Sequence, residues 1–330
     1  MTVTDEFTSR ASPFRGELLA YCYRMLGSAE EAEDLVQETY LRAWRGYERF
    51  EDRASMRTWL YRIATNVCLT AIERRSRRPL PSGLGGPAED PGAQLVAAPE
   101  VPWLQPFAGP ALAAGYHDPA AVAVSRAGIR LALVAALQYL SARQRAVLIL
   151  RDVLEWPAAQ VADLLGTTTV AVNSMLRRAR AQLADATPAE HDLAEPSDPD
   201  RRALLERFAA AVENADGSAL AQILTADVAL EMPPVLTWFT GRDIVAEVVA
   251  ANLFIAPGAL RLLPVTANGQ DAFAVYQRAA DGRCYAHAII VLELAAAGIA
   301  RMTAFQRPSL FPRFGLRPEL AAAGPAPAAD

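Results

Sequence analysis

EAEDLVQETYLRAWRGYERFEDRASMRTWLYRIATNVCLTAIERRSRR, residues 31–78, is the stretch on which the reading of this chain turns. Its first half is acidic and amphipathic. Asp34, Gln37, Glu38 and Leu41 are spaced i, i+3, i+4 and i+7 and so share one helical face. Its second half is basic: Arg53, Arg57, Arg62, Arg74, Arg75, Arg77 and Arg78 are accompanied by a single acid, Glu73. Trp59 and Tyr61 lie among them. Arginines can follow a phosphate backbone while aromatic rings stack on unpaired bases, so the pattern predicts a surface for single-stranded nucleic acid. The acidic helix upstream predicts a second face, for a protein partner.

Working outward, Phe14, Leu18, Tyr21, Cys22, Met25 and Leu26 recur at helical spacing. Gly27 ends that helix, and Ser28 with Glu31 forms a capping box for the next. Residues 50–55 read as a loop. A third helix runs from about Arg57 to Arg75, with Leu60, Ile63, Ala64 and Val67 facing inward. Residues 79–119 are rich in proline and glycine and read as a linker. Within it lies VPWLQPF, residues 101–107, which either packs on the nearest domain or serves as a regulatory docking motif.

Residues 120–186 are helical again. Trp156-Pro157 opens a short helix, Gly166 closes it, and Thr167 to Thr169 cap a final basic helix. A short helix, a tight glycine turn and a basic helix make a helix-turn-helix. Asn173, Arg177 and Arg180 share a face of the last helix, with Ser174 and Arg178 nearby. Val172, Leu176 and Leu183 face the core. A polar linker at 187–199 leads to a different pattern: a helix over 200–214, a strand over 226–232, a helix in TGRDIVAEVVANLF, then strands over 259–267, 271–279, 283–294 and 298–306. Helices followed by an antiparallel meander predict an α+β cone with a curved sheet. The aromatic, basic end RPSLFPRFGLRPEL folds back on it.

The chain has 330 residues, 52% of them hydrophobic and 21% charged, with a formal net charge of −5. This is enough for two or three domains, and any nucleic-acid face must be local. All 32 basic residues are arginine, a chain-wide bias that points to no particular site. Cys22, Cys68 and Cys284 are far apart and form no CxxC, so neither a disulfide framework nor a metal site is expected, and no cofactor is implied. With no signal-peptide pattern and no apolar run of membrane-spanning length, the expectation is a soluble cytoplasmic protein with no membrane contact.

DLVQETYLRAW followed by RTWLYRIATNVCL resembles region two of the bacterial sigma factors, in particular the extracytoplasmic-function group. LSARQRAVLILRDVLEWPAAQVADLLGTTTVAVNSMLRRARAQL resembles their region four. The C-terminal third is similar to SnoaL-like, NTF2-type cone domains, which extend a subgroup of these factors. Trp103-Leu104-Gln105-Pro106 is a loose match to a linker motif of that subgroup. The resemblance implies a multi-domain fold: two all-α sigma domains, a region-two helical bundle (12–78) and a region-four helix-turn-helix (125–186), plus an α+β NTF2-like cone (200–315). Linkers at 79–124 and 187–199 and a loose tail at 316–330 complete it.

The resemblance also implies roles. Asp34, Gln37, Glu38 and Leu41 would dock on the β′ clamp helices of core RNA polymerase, whose β flap is a second contact. Arg53, Ser55, Trp59, Arg62, Asn66, Arg74 and Arg75 would melt the minus-ten element and hold a flipped base. Thr168, Asn173, Ser174, Arg177, Arg178 and Arg180 would meet the minus-thirty-five element. Many relatives carry arginine where this chain has Asn173 and Met175, which implies a different upstream sequence. Trp103, Leu104, Phe311 and Phe314 would be regulatory contacts of the cone. An anti-sigma protein or a small ligand of the cone is a further candidate partner. Two other readings compete: a one-component repressor, and a cone enzyme with pocket residues drawn from Asp227, Glu231, Trp238, Tyr276, Tyr285, His287 and Met302. Sigma factors are not enzymes, and the arginine–aromatic block favours the sigma reading, since a repressor needs no melting surface.

Overall fold

The computed structural model describes residues 3–50, 55–73, 77–108, 129–186, 197–254 and 256–320. The chain divides into two units. One comprises residues 1–78 and 104–189, the other residues 79–103 and 190–330.

The first unit is helical: α1 (Val3–Ala11), α2 (Arg15–Leu26), α3 (Ala29–Gly46), α4 (Met56–Ile72), α5 (Leu131–Leu137), α6 (Ala142–Leu148), α7 (Ala158–Leu165) and α8 (Thr169–Ala186). Helix α2 is its centre, buried from Gly16 to Leu26. Gly27 ends it in the left-handed region, at φ 69°, and Ser28 Oγ accepts from the Glu31 amide to start α3. The turn is closely packed, because a Cβ built on Gly27 would lie 2.7 Å from Leu104 Cδ1. Ser55 caps α4 through the Thr58 amide, 3.1 Å away. Ser141 and Gln144 form a full capping box on α6. Gly166, at φ 61°, makes the tight turn between α7 and α8.

The second unit holds α9 (Asp198–Glu213), α10 (Gly217–Ala221), β1 (Leu224–Glu231), β2 (Phe239–Thr240), α11 (Arg242–Asn252), β3 (Leu260–Ala267), β4 (Gln270–Arg278), β5 (Cys284–Ala295), β6 (Gly298–Phe305) and β7 (Glu319–Leu320). The sheet order is β2-β1-β6-β5-β4-β3, with β7 on β5, and β1 runs parallel to β6 while the other pairs are antiparallel. Phe208 and Val212 of α9 and Val248 and Val249 of α11 share a core with Leu230, Val275, Ile290 and Met302 of the sheet. This is the α+β cone expected from the meander. The β4–β5 register passes from Val275↔Ala288 to Tyr276↔Ala286, which leaves His287 as a bulge.

Two expectations need adjusting. Residues 79–103 pack on the second unit rather than lying free as a linker. Ala88 and Ala98 donate to the carbonyls of Trp238 and Pro234 at 2.8 Å, and Leu236 donates to Val96 at 2.8 Å. The prolines leave enough N–H groups between them to pair with the segment 234–238. The end of the cone is a 3-10 turn (Pro308–Phe314) in which Phe311 is fully buried, edge-on to Tyr276 at 4.9 Å. Phe314 is buried too. As core residues they offer no surface for the regulatory contacts expected of them.

Candidate functional site

Helix α3 buries Val36, Thr39 and Ala43 and turns the opposite face outward. On that face Asp34 and Gln37 are exposed, and Glu38 is half-buried with an ion pair to Arg42 at 2.7 Å. Leu41 is 51% exposed and Trp44, three residues further on, 48%. Two large apolar side chains are thus left in water beside acidic groups. Trp44 lies one further helical step along the face of Asp34, Gln37, Glu38 and Leu41.

In the basic half several side chains pack within the unit. Tyr61 is fully buried, edge-on to Tyr21 at 5.2 Å and 5.1 Å from Trp156. Arg57 clamps Glu17 with bonds of 2.8–3.0 Å and lies over Tyr61 and Trp156. Arg62 pairs with Asp163 of α7, Arg77 lies 4.7 Å from the Tyr139 ring, and Arg78 pairs with Glu31 at 2.7 Å. The described arginines of the block, Arg57, Arg62, Arg77 and Arg78, are therefore engaged within the unit. Composition cannot distinguish an arginine facing DNA from one facing a carboxylate. Ser55 serves as the α4 cap, and Asn66 is exposed. Trp59 stacks on Phe50 at 4.5 Å and 20°, a flat aromatic pair beside the loop. Arg53, Arg74 and Arg75 lie outside the described residues.

On α8, Asn173, Arg177 and Arg178 are exposed and Ser174 is half-buried, while Val172, Leu176 and Ala179 face the core. Thr168 Oγ1 accepts from the Ala171 amide at 3.1 Å and so starts the helix. Arg180 departs from the expected set. Its guanidinium grips both oxygens of Asp152 at 2.7 and 2.8 Å, holding α8 to the preceding segment. Val170 is 76% exposed at the same helix start. Polarity-based reading passes over it, yet an apolar side chain there can meet a thymine methyl.

The acid–base constellation considered for the cone does not assemble. Asp227 is exposed on β1. Glu231 is buried and accepts from Arg301 at 3.0 Å and from the Ser82 amide at 2.9 Å. Trp238 donates to the Gly85 carbonyl, Tyr276 to the Arg317 carbonyl, and Tyr285 to Asp281. Only His287 and Met302 of the seven line the cavity between helices and sheet. Among the described residues no group of acids, histidines and cysteines is placed to hold a metal, and no helix is long and apolar enough to cross a membrane.

Residues 12–78 match the Sigma-70 region 2 family and residues 130–183 the Sigma-70 region 4 family. The ECF RNA polymerase sigma factor SigG of Mycobacterium tuberculosis is 49% identical over 313 residues, 94% of this chain and 84% of that protein. The chain belongs to the ECF RNA polymerase sigma factors. SigJ of the same species is 28% identical over 227 residues, 67% of this chain and 62% of SigJ. The crystal structure of Mycobacterium tuberculosis SigJ aligns with a TM-score of 0.61 at 22% identity, covering 95% of this chain and 100% of SigJ, which shows a shared fold.

In this sigma factor regions two and four form one unit. One tie between them is Arg145 of α6, which reaches Met25 of region two. It is 4% exposed and donates to the carbonyls of Met25, Gln138 and Leu140 and to Gln138 Oε1. Burial lowers its pKa to about 10, so it stays charged at neutral pH. The Arg62–Asp163 pair is exposed and so adds little, roughly 0–1 kcal/mol. From the linker side, Gln105 donates to the Gly27 carbonyl at 3.0 Å and Phe107 lies 4.6 Å from Tyr23.

Proposed function

We propose that this chain starts transcription by docking the α3 face of Asp34, Gln37, Leu41 and Trp44 on core RNA polymerase, with region four as a second contact. The exposed apolar pair among acids on α3 carries this reading. Trp59 and Phe50, with Arg62 and Asn66, then act on the melted minus-ten strand, and α8 reads the upstream duplex through Val170, Asn173, Arg177 and Arg178. Tethering both regions to the polymerase raises their effective concentration at the promoter, which a chain of net charge −5 needs.

The contacts between α4 and α7 imply that the free chain is closed. Arg62 must exchange Asp163 for DNA, at small cost because that pair is exposed. The cone regulates this opening rather than catalysing a reaction, since Asp227 and Glu231 do not reach His287's cavity. Domain boundaries near residues 12–78, 125–186 and 200–315 and a cytoplasmic location follow from the same reading. In vitro transcription with core polymerase tests it: full-length chain should support promoter-specific transcripts, and a DNA-binding chain that yields none would be a repressor instead.

A further inference from the structure

The second unit contains a cavity of about 300 Å³ between α9, α11 and the concave sheet. That is about twice the volume of an apolar protein cavity that accommodates benzene, ~150 Å³. Its walls are apolar: Phe208, Val248, Val275, Ile290 and Met302 are among them. Natural cores close voids of this size, because every lining atom without a neighbour loses contact energy. Among the described residues no aspartate, glutamate or arginine lines it. An ionised ligand would therefore be desolvated without a counter-charge.

Three polar side chains also line the cavity: Asn252, His287 and Gln306. Asn252 and Gln306 are exposed, which places them at the mouth. Asn252 spends its Nδ2 on the Val248 carbonyl, leaving its oxygen to accept. His287 occupies the β5 bulge, the irregularity that aims a strand side chain away from its regular direction. Burial lowers its pKa, so it is neutral at pH 7, with one nitrogen to donate and one to accept. Leu95, from the segment that precedes Trp103-Leu104, forms part of the wall.

We propose that this cavity binds a small neutral molecule with an apolar body, of roughly two fused rings, and one hydroxyl or carbonyl group held by His287. The proposal deepens the regulatory reading of the cone and rests on it only for its consequence, not for binding. Leu95 gives occupancy a route to the chain between regions two and four, since its segment continues covalently to Leu104.

The test uses the full-length chain and three fluorescent bicyclic probes at pH 7.5: 2-naphthol, naphthalene and the anion 2-naphthoate. One 2-naphthol should bind per chain, with naphthalene and 2-naphthoate each weaker by about tenfold or more. His287→Phe should reduce 2-naphthol binding by about tenfold and leave naphthalene within about twofold. Ala304→Phe should fill the cavity and abolish binding of both, with Val249→Phe as the second filling variant if circular dichroism shows that the first misfolds. Equal binding of 2-naphthol and 2-naphthoate, or binding that survives the folded filling variant, overturns the proposal. Binding with the expected preferences but unchanged transcript yield keeps the site and removes its regulatory role. Absence of binding in a chain whose truncation still changes transcription overturns the site alone.

Discussion

Individual side chains decide what each surface can do. Trp44 and Leu41 are half exposed on a helix whose opposite face is packed, and the proposed core contact would remove them from water. Trp44→Ala, and separately Asp34→Ala with Gln37→Ala, should each weaken core polymerase binding by about tenfold, typical of an interface anchor, while leaving the helical circular dichroism unchanged. Arg177 and Arg178 carry no internal partner among the described residues, unlike Arg180. Alanine at both should shorten the footprint at its upstream end. Each arginine that meets a guanine edge should contribute about 1–3 kcal/mol of sequence discrimination. A residue that meets only phosphate would instead change the salt slope. At His287, burial lowers the pKa below its ordinary 6.5, so the unfolded chain takes up a proton first as pH falls. Stability is then unaffected by this group above pH 6.5 and declines as pH drops below it. Urea midpoints at pH 7.5 and 5.5 should differ more in the native chain than in His287→Gln.

At the scale of elements, two glycine turns make a controlled comparison. Gly27 and Gly166 both adopt left-handed φ, but only at Gly27 would an added Cβ meet neighbours, Leu104 Cδ1 at 2.7 Å and the Gln138 amide at 3.2–3.3 Å. Gly166→Ala should cost about 1–2 kcal/mol, the strain of left-handed backbone alone. Gly27→Ala should cost clearly more in urea denaturation, because the methyl must also displace Leu104. Equal losses would mean that the linker does not dock on this turn. The same docking explains why the residues around Trp103 resisted a purely local reading. Trp103 is buried in the second unit and donates to the Ala98 carbonyl at 2.8 Å, whereas Leu104 to Phe107 belong with region two. The motif is thus a junction between two packed segments, a property no spacing rule expresses.

For the whole molecule, the question is what the cone does to the sigma regions. Regions two and four are tied by Arg145 and by the pairing of Arg62 with Asp163. Any influence of the cone on transcription must appear as a difference in free energy between closed and promoter-bound states. Truncation after Ala186, and separately Trp103→Ala, should alter transcript yield from the cognate promoter at equal chain concentration. Identical core affinity and yield in both variants would exclude regulation by the cone. The truncated chain must also show native helical content, because residues 79–103 lose the segment 234–238 on which they pair.

Much of this protein is decided by neighbours close in the chain. Apolar residues three and four apart, or two apart, mark α2, α3, β4 and β5. Gly27, Ser28, Ser141 and Gly166 punctuate helices through local backbone geometry, and the same local signals carry the two sigma regions and the cone. The side-chain partners came only with tertiary structure. Arg62 meets an aspartate 101 residues away, Arg145 a carbonyl 120 residues away, and Glu231 an amide 149 residues away. An arginine carries the same charge whether it will face a phosphate or a carboxylate, so composition gave the block its character and packing gave each member its partner. The bulge at His287 and the cavity it lines arise likewise from the register between two strands, which is settled only when the sheet closes.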